Sequence, residues 1–374
     1  MGTTIYIRYG IVSIHGGTEM NNHIPINKGN YDMDTQERIN QFEKNRAIGW
    51  EKEYSKYRKN WQEYPQHQYV ADYPTLVDIE LSSLCNLKCP MCYTITKEFK
   101  QKVNTQLMDI KLFKKIVNEI AGKVLAVRLS LRGEATLHPN FIECIRYCKD
   151  KGIKEVSFLT NGARLNKEYF IQVAKAGADW ITISIDGIGT QYENIRQPLK
   201  FEDTLQKIKD ISAVKKEMEW KKPVIKIQGI WPAIRENPSE YYNTFAPYVD
   251  LIAFNPLIDY LDKDTDIVYE TDFVCPQMYQ RLVIGSDGKV LLCSNDEEGR
   301  YIIGDMNIDN VYNIWNNKKL NSARELHKKG RFKELEVCKK CYLPRMTEDS
   351  EFAFVNERKI TIKNYVNRSQ IIGE

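Results

Sequence analysis

The chain has 374 residues, 42% of them hydrophobic, enough for one large domain with a smaller one beside it. Its formal net charge of +4 does not by itself suggest a nucleic-acid partner, which asks for a concentrated basic face. There is no run of 18 apolar residues, so no membrane span is expected, and MGTTIYIRYGIVSIHGG lacks the basic start and long apolar stretch of a secretion signal.

In chain order, residues 1–74 form an N-terminal extension, rich in charge and aromatics, whose 31–74 stretch reads as one or two amphipathic helices. From residue 75 strands and helices alternate. TLVDIELS, VLAVRLSL, KEVSFLTNG, DWITISIDG, PVIKIQGI and VDLIAFNP read as strands. DIKLFKKIVNEIAGK, NFIECIRYCKDKG, KEYFIQVAKAG and FEDTLQKIKDISAVKKE read as the helices between them. The alternation predicts an α/β fold with a parallel sheet, and no glycine-rich phosphate loop follows the first strand. An open, partial (β/α)6 TIM-like barrel over 75–258 is the expectation, with active residues at the C-terminal ends of its strands. The rhythm breaks near residue 260. Over 270–345 a hairpin at RLVIGSDGKVLLC, a helix near VYNIWNNKKLNSARELHKKG and a CxxC pair predict a small α+β, metal-stapled domain. Residues 346–374 read as a tail with no clear pattern.

Nine cysteines, grouped as CxxxCxxC and CxxC, fit metal binding in a reducing cytoplasm better than a disulfide framework. SLCNLKCPMCY places Cys85, Cys89 and Cys92 on one short loop after the first barrel strand. Closed metal sites usually take four protein ligands, so three thiolates suggest a metal with one position left open. A structural zinc completed by a distant residue is the other reading of the spacing. The loop resembles the CxxxCxxC signature of the radical S-adenosylmethionine (radical SAM) superfamily. That resemblance implies a 4Fe-4S cluster on the three cysteines whose open iron chelates S-adenosylmethionine.

The same resemblance assigns further residues. Met91 stands where the family usually has an aromatic residue near adenine, and Tyr93 is the nearby ring. Leu131–Arg132–Gly133–Glu134–Ala135 resembles the family's GGEP-type stretch, with Glu134 facing the cofactor ammonium and Gly133 allowing close backbone approach. Arg132 and Ala135 depart from that pattern. Ser184 matches a polar contact to ribose or carboxylate, and Arg196 a basic residue placed against the carboxylate. Asn161–Gly162 reads as a turn first and a site lining second.

Cys275, Cys293, Cys338 and Cys341 form C-x17-C-x44-C-x2-C, with the turn Ser286–Asp287–Gly288 just before Cys293. The spacing fits four-cysteine zinc or an iron–sulfur cluster. The stretch resembles the SPASM extension of the same superfamily in its shortened, twitch-like form, which is also found in a cyclitol dehydrogenase of the superfamily. One all-cysteine auxiliary 4Fe-4S cluster is then expected, giving two clusters in all. With four thiolates filling it, the role left is outer-sphere electron acceptance. Cys144 and Cys148 are read as a shared buried helix face, and His138 and His327 as structural.

These resemblances imply a cytoplasmic radical SAM oxidoreductase. The leading reaction is oxidation of an alcohol of a sugar, aminosugar or cyclitol, with electrons from a flavodoxin- or ferredoxin-type donor. No residue is singled out as proton acceptor. The rival readings are a peptide-modifying enzyme and a non-enzymatic structural zinc protein.

Overall fold

The computed structural model of the protein describes residues 31–259, 264–270, 273–368 and 370–372. The secretion-signal reading falls on residues outside these. Among the described residues no helix is long and apolar enough to cross a membrane.

Twelve strands are described: β1 (Tyr31–Asp32), β2 (Leu76–Ile79), β3 (Ala126–Arg128), β4 (Glu155–Thr160), β5 (Trp180–Ser184), β6 (Val224–Ile230), β7 (Leu251–Asn255), β8 (Arg281–Ile284), β9 (Lys289–Leu291), β10 (Ile302–Asp305), β11 (Thr347–Val355) and β12 (Arg358–Tyr365). The first ten make one sheet in the order β1-β7-β6-β5-β4-β3-β2-β8-β9-β10. Within it β2 to β7 are the six expected parallel strands, each laid beside its predecessor. Helices cross between them. Ile110–Ile120 starts on the side chain of Asp109 and Lys167–Lys175 on that of Asn166, each accepting from first-turn N–H groups. Buried Phe113, Ile116, Val117 and Ile120 give the first of these helices its core face.

The sheet does not stop at the barrel. β8 pairs parallel with β2, and the β8–β9 hairpin then turns the sheet antiparallel. The cysteine-rich region therefore grows out of the barrel sheet at the edge of its first strand. The helical stretch predicted there is two helices, Val311–Trp315 and Lys318–Lys328.

The N-terminal extension contributes two helices, α1 (Gln36–Ala47) and α2 (Glu51–Gln66). Their apolar stripes meet the first residues of the barrel strands. Trp50, Tyr54 and Tyr57 cluster with Leu76 and Ala126, and Phe42 clusters with Val224 and Leu251. Arg46 reaches Glu155 through Nε and Nη2 at 3.0 and 2.9 Å, and its guanidinium lies 4.2 Å from the Trp180 ring centroid. The extension thus plugs the N-terminal end of the barrel, opposite the ends where a site is expected.

One expectation needs correcting. Residues 346–374 are not patternless: β11 and β12 form an antiparallel hairpin. It turns at Asn356–Glu357, both with positive φ, as a tight two-residue turn requires.

Candidate functional site

The three-cysteine loop leaves β2 at its C-terminal end and is bound at once to the turn after β3. The Glu134 N–H donates to Leu84 O at 2.7 Å. At Gly133 a Cβ would lie 2.2 Å from Leu84 O, so no side chain fits there without moving backbone. Asn161, just after β4, joins the same group, donating from Nδ2 to Asn86 Oδ1 at 2.8 Å.

Glu134 is buried and organises these loops. Its Oε1 accepts from Thr136 N (3.1 Å), Thr136 Oγ1 (2.6 Å) and Thr160 Oγ1 (2.8 Å), and its Oε2 accepts from Asn161 N at 2.7 Å. Oε1 takes three of these four donors and Oε2 only one, so Oε2 is the less occupied acceptor.

Arg196 approaches from the β5 side. Its Nε donates to Asp186 Oδ2 at 2.7 Å, and Asp186 Oδ1 accepts from Ile230 N at 3.0 Å. Asp186 thus holds the guanidinium where its charge reaches the cysteines. Burial pushes the Cys89 thiol up to about 11, with Arg196 the main opposing influence. Cys85 is raised by burial as well, with Glu134 adding to the rise and Arg196 opposing it. Asp186 was not singled out from the sequence, although it sits in the same TISIDG segment as Ser184. Ser184 is the last residue of β5, half-buried, in register with Gln228. Tyr93 packs against Phe99, ring centroids 5.5 Å apart, and burial lifts its phenol well above its ordinary range. Met91 is half-buried on the loop between Cys89 and Cys92. The structure therefore gathers Cys85, Cys89, Cys92, Gly133, Glu134, Ser184 and Arg196 at the C-terminal ends of β2 to β5.

Arg132, the departure from the family pattern, ties this mouth to the cysteine-rich region. It donates from Nε to Glu80 Oε1 at 2.7 Å and from Nη1 to Glu297 O at 3.2 Å. Glu80 Oε2 in turn accepts from Ser286 N at 2.9 Å.

The second cysteine set lies in that region. Burial pushes the Cys293 thiol well above its ordinary range, and the nearby Cys275, Cys341 and Cys338 add to the rise, so the four thiols lie near one another. Burial raises each of the other three too, and a metal binding there has to displace their protons. Asn295 Nδ2 donates to Cys341 Sγ at 3.5 Å.

His327 is a correction. Expected to be structural and to have no metal-ligand company, it instead lies between two of these cysteines. Cys275 N–H donates to its Nδ1 at 3.4 Å, and Nε2 is 3.5 Å from Cys338 Sγ. His138, by contrast, is internal bracing: Nε2 meets Met108 O at 2.8 Å and Nδ1 accepts from Asn140 N at 3.1 Å. Cys144 and Cys148 are buried on one face of Phe141–Asp150.

All nine cysteines are free thiols. Among the described residues no three His, Cys, Asp or Glu side chains converge closely enough to share one metal ion. A four-iron cluster makes no such demand, because each thiolate meets a different iron. The residues present fit cluster chemistry: soft sulfur donors, in a group of three beside a fixed cation and in a group of four of which three are buried.

Comparison with known families agrees. Residues 79–218 match the model of the radical SAM superfamily, and residues 275–342 that of the SPASM iron–sulfur cluster-binding domain. Residues 79–218 thus form a radical SAM domain and residues 275–342 a SPASM domain. S-adenosylmethionine and iron–sulfur clusters are the cofactors of such proteins. The chain is 25% identical over 185 residues to the Fe-coproporphyrin III synthase of Methanosarcina barkeri, covering 42% of this chain and 45% of the relative. It is 29% identical over 157 residues to the tungsten-containing aldehyde ferredoxin oxidoreductase cofactor-modifying protein of Pyrococcus furiosus, covering 41% and 42%. It thus spans less than half the length of these curated relatives. Among solved structures, BtrN in complex with AdoMet and 2-DOIA aligns with a TM-score of 0.52 at 16% identity, over 72% of this chain and 92% of that one. Streptococcus suis SuiB bound to precursor peptide SuiA aligns with a TM-score of 0.50 at 14% identity, over 71% and 70%. At these identities the likeness is one of fold.

Proposed function

We propose that the protein is a radical SAM oxidoreductase that oxidises an alcohol of a sugar, aminosugar or cyclitol. In this reading Cys85, Cys89 and Cys92 hold the SAM-binding 4Fe-4S cluster, and Cys275, Cys293, Cys338 and Cys341 hold one auxiliary 4Fe-4S cluster. Bound there, S-adenosylmethionine and the two clusters would supply radical hydrogen-abstraction chemistry and an acceptor for the second electron.

The chain's own residues bind and orient. Gly133 lets the backbone close on the cysteine loop, and Glu134 offers its less occupied acceptor, Oε2, to the cofactor ammonium. Arg196, steadied by Asp186, faces the cofactor carboxylate. Ser184 supplies a polar contact, and Met91 and Tyr93 border the adenine side. The domain limits adopted are 75–258 for the barrel and 270–345 for the SPASM domain.

The observation that carries the reading is the joining of the two cysteine sets through one sheet and one strut, Arg132 to Glu80 and Glu297. It supports electron transfer between a site at the barrel mouth and an acceptor beside it. The rival, a peptide-modifying enzyme, draws on the fold likeness to SuiB. Against it, residues 31–74 form helices at the far end of the barrel, away from the mouth, which supports a small-molecule substrate. A cytoplasmic setting and a flavodoxin- or ferredoxin-type donor follow from the same chemistry.

The test is iron, sulfide and zinc per chain after anaerobic reconstitution, with 5′-deoxyadenosine assayed after dithionite and S-adenosylmethionine. Two clusters predict about eight irons, and a Cys85/Cys89/Cys92→Ala triple variant about four with no nucleoside formed. About four irons plus one zinc in the unmutated chain would remove the electron acceptor and the oxidation with it.

A further inference from the structure

His327 occupies a position that the four-cysteine set does not need for ligation. It lies on the helix Lys318–Lys328 and is 1% exposed. Phe332 stacks on its ring, with centroids 5.7 Å apart and planes 16° from parallel, and Phe273 meets it at a steeper angle with centroids 6.2 Å apart. The ring therefore has little freedom to turn.

Its two nitrogens have different partners. Nδ1 faces the backbone N–H of Cys275 at 3.4 Å, and an N–H can only donate. Nδ1 is thus the acceptor and the ring proton sits on Nε2. Nε2 points to Cys338 Sγ at 3.5 Å, so the contact is an N–H donating to sulfur. One imidazole thereby bridges two ligand positions that are 63 residues apart in sequence, Cys275 and Cys338.

We propose that His327 is a positioning residue of the auxiliary cluster, whose Nε2–H hydrogen bond to the Cys338 sulfur raises that cluster's reduction potential. The inference rests on the reading of this cysteine set as a cluster site. The physical reason is charge. Reduction adds an electron that spreads onto the sulfurs, so a donor aimed at one sulfur stabilises the reduced form more than the oxidised form. Hydrogen bonds to charged groups are strong enough for one of them to shift the one-electron equilibrium about tenfold, or about 59 mV. A higher potential suits a cluster that has to accept an electron. Asn295, donating to Cys341 Sγ, acts on a different ligand and leaves the His327 effect separable.

The experiment uses the full chain with Cys85, Cys89 and Cys92 changed to Ala, so that the auxiliary cluster alone is read. Iron is counted first, then the reduction potential is followed by EPR in three forms: His327, His327→Phe and His327→Gln. Phe keeps a flat ring between Phe332 and Phe273 but has no donor, and the potential is expected to fall by about tenfold in the equilibrium. Gln restores an N–H donor, and its potential is expected to lie nearer that of His327. In the His327 form, 15N-labelled histidine is expected to show a weak nitrogen coupling to the reduced cluster, and this measurement needs no substitution at residue 327. An unchanged potential in a loaded His327→Phe variant, or no histidine nitrogen coupling, overturns the inference while the cluster reading stands. Zinc or no iron at this site overturns both.

Discussion

Arg132 and Glu80 form a buried two-pronged ion pair that links the turn after β3 to the end of β2. The same carboxylate accepts from Ser286 N, and the same guanidinium donates to Glu297 O. A family glycine is replaced by a residue that fastens the barrel mouth to the SPASM region. Removing one partner leaves a fully buried charge without its counter-ion, which costs roughly 3–5 kcal/mol. Arg132→Met is therefore expected to lower unfolding stability by that amount, and adding Glu80→Gln to recover part of it. A loss under about 1 kcal/mol in chemical denaturation would show that the strut is not structural.

Gly133→Ala tests the close approach at Leu84. The added Cβ would fall 2.2 Å from a backbone oxygen, so the cysteine loop has to move. Overpacking of this kind costs roughly 1–3 kcal/mol, and here it falls on the first cluster's loop. The expected result is iron falling from about eight to about four per chain, with the auxiliary signal retained in EPR. Full iron in the variant would mean that the loop tolerates the shift.

Asp186→Asn tests how Arg196 is held. The variant keeps the shape but removes the charge that Nε contacts at 2.7 Å. Loss of a charge-assisted bond on the positioning side is expected to weaken S-adenosylmethionine binding by about tenfold, corresponding to roughly 1.4 kcal/mol. Iron content should not change. Equilibrium dialysis against labelled cofactor gives the answer, and unaltered affinity would remove Arg196 from the carboxylate site.

Much of this was legible in the sequence, for identifiable reasons. Six barrel strands and their helices carried apolar periodicity and clear caps, such as Asp109 ahead of Ile110–Ile120. The cysteine groups were legible because local spacing alone defines them. His327 was not, because its partners Cys275 and Cys338 come to it only through the fold. Nor was β8 as a continuation of the barrel, since pairing with β2 joins segments some 200 residues apart. The hairpin β11–β12 had a signal that was missed: the apolar, β-favouring run FAFV and the alternating KITI lie on either side of Asn356–Glu357.

At the opposite end of the barrel, Arg46→Met should separate stability from chemistry. Glu155 is 2% exposed and would lose both of its contacts from Arg46. A cost of roughly 3–5 kcal/mol is expected, with iron content and EPR spectra unchanged. A variant that folds as stably as its parent would show that the plug is held by its aromatic face alone.

Glu297 gives a pH-dependent prediction with a definite sign. It follows Cys293 on the same loop, and burial pushes its carboxyl up to about 8, with Asp296 adding to the rise. In the unfolded chain the group titrates near its model value of 4.5. Between these values the unfolded chain releases the proton and the folded chain keeps it. The contribution of Glu297 to stability is thus highest below about pH 4.5, falls as pH rises towards about 8, and changes no further above it. Glu297→Gln, which cannot ionise, is expected to melt above the parent at pH 8 and level with it near pH 5. Thermal unfolding of anaerobically loaded protein at both pH values checks this. A difference of equal size at the two values would assign the effect to packing, and a lower melting point at pH 8 would mean that the charged carboxylate is stabilising where it stands.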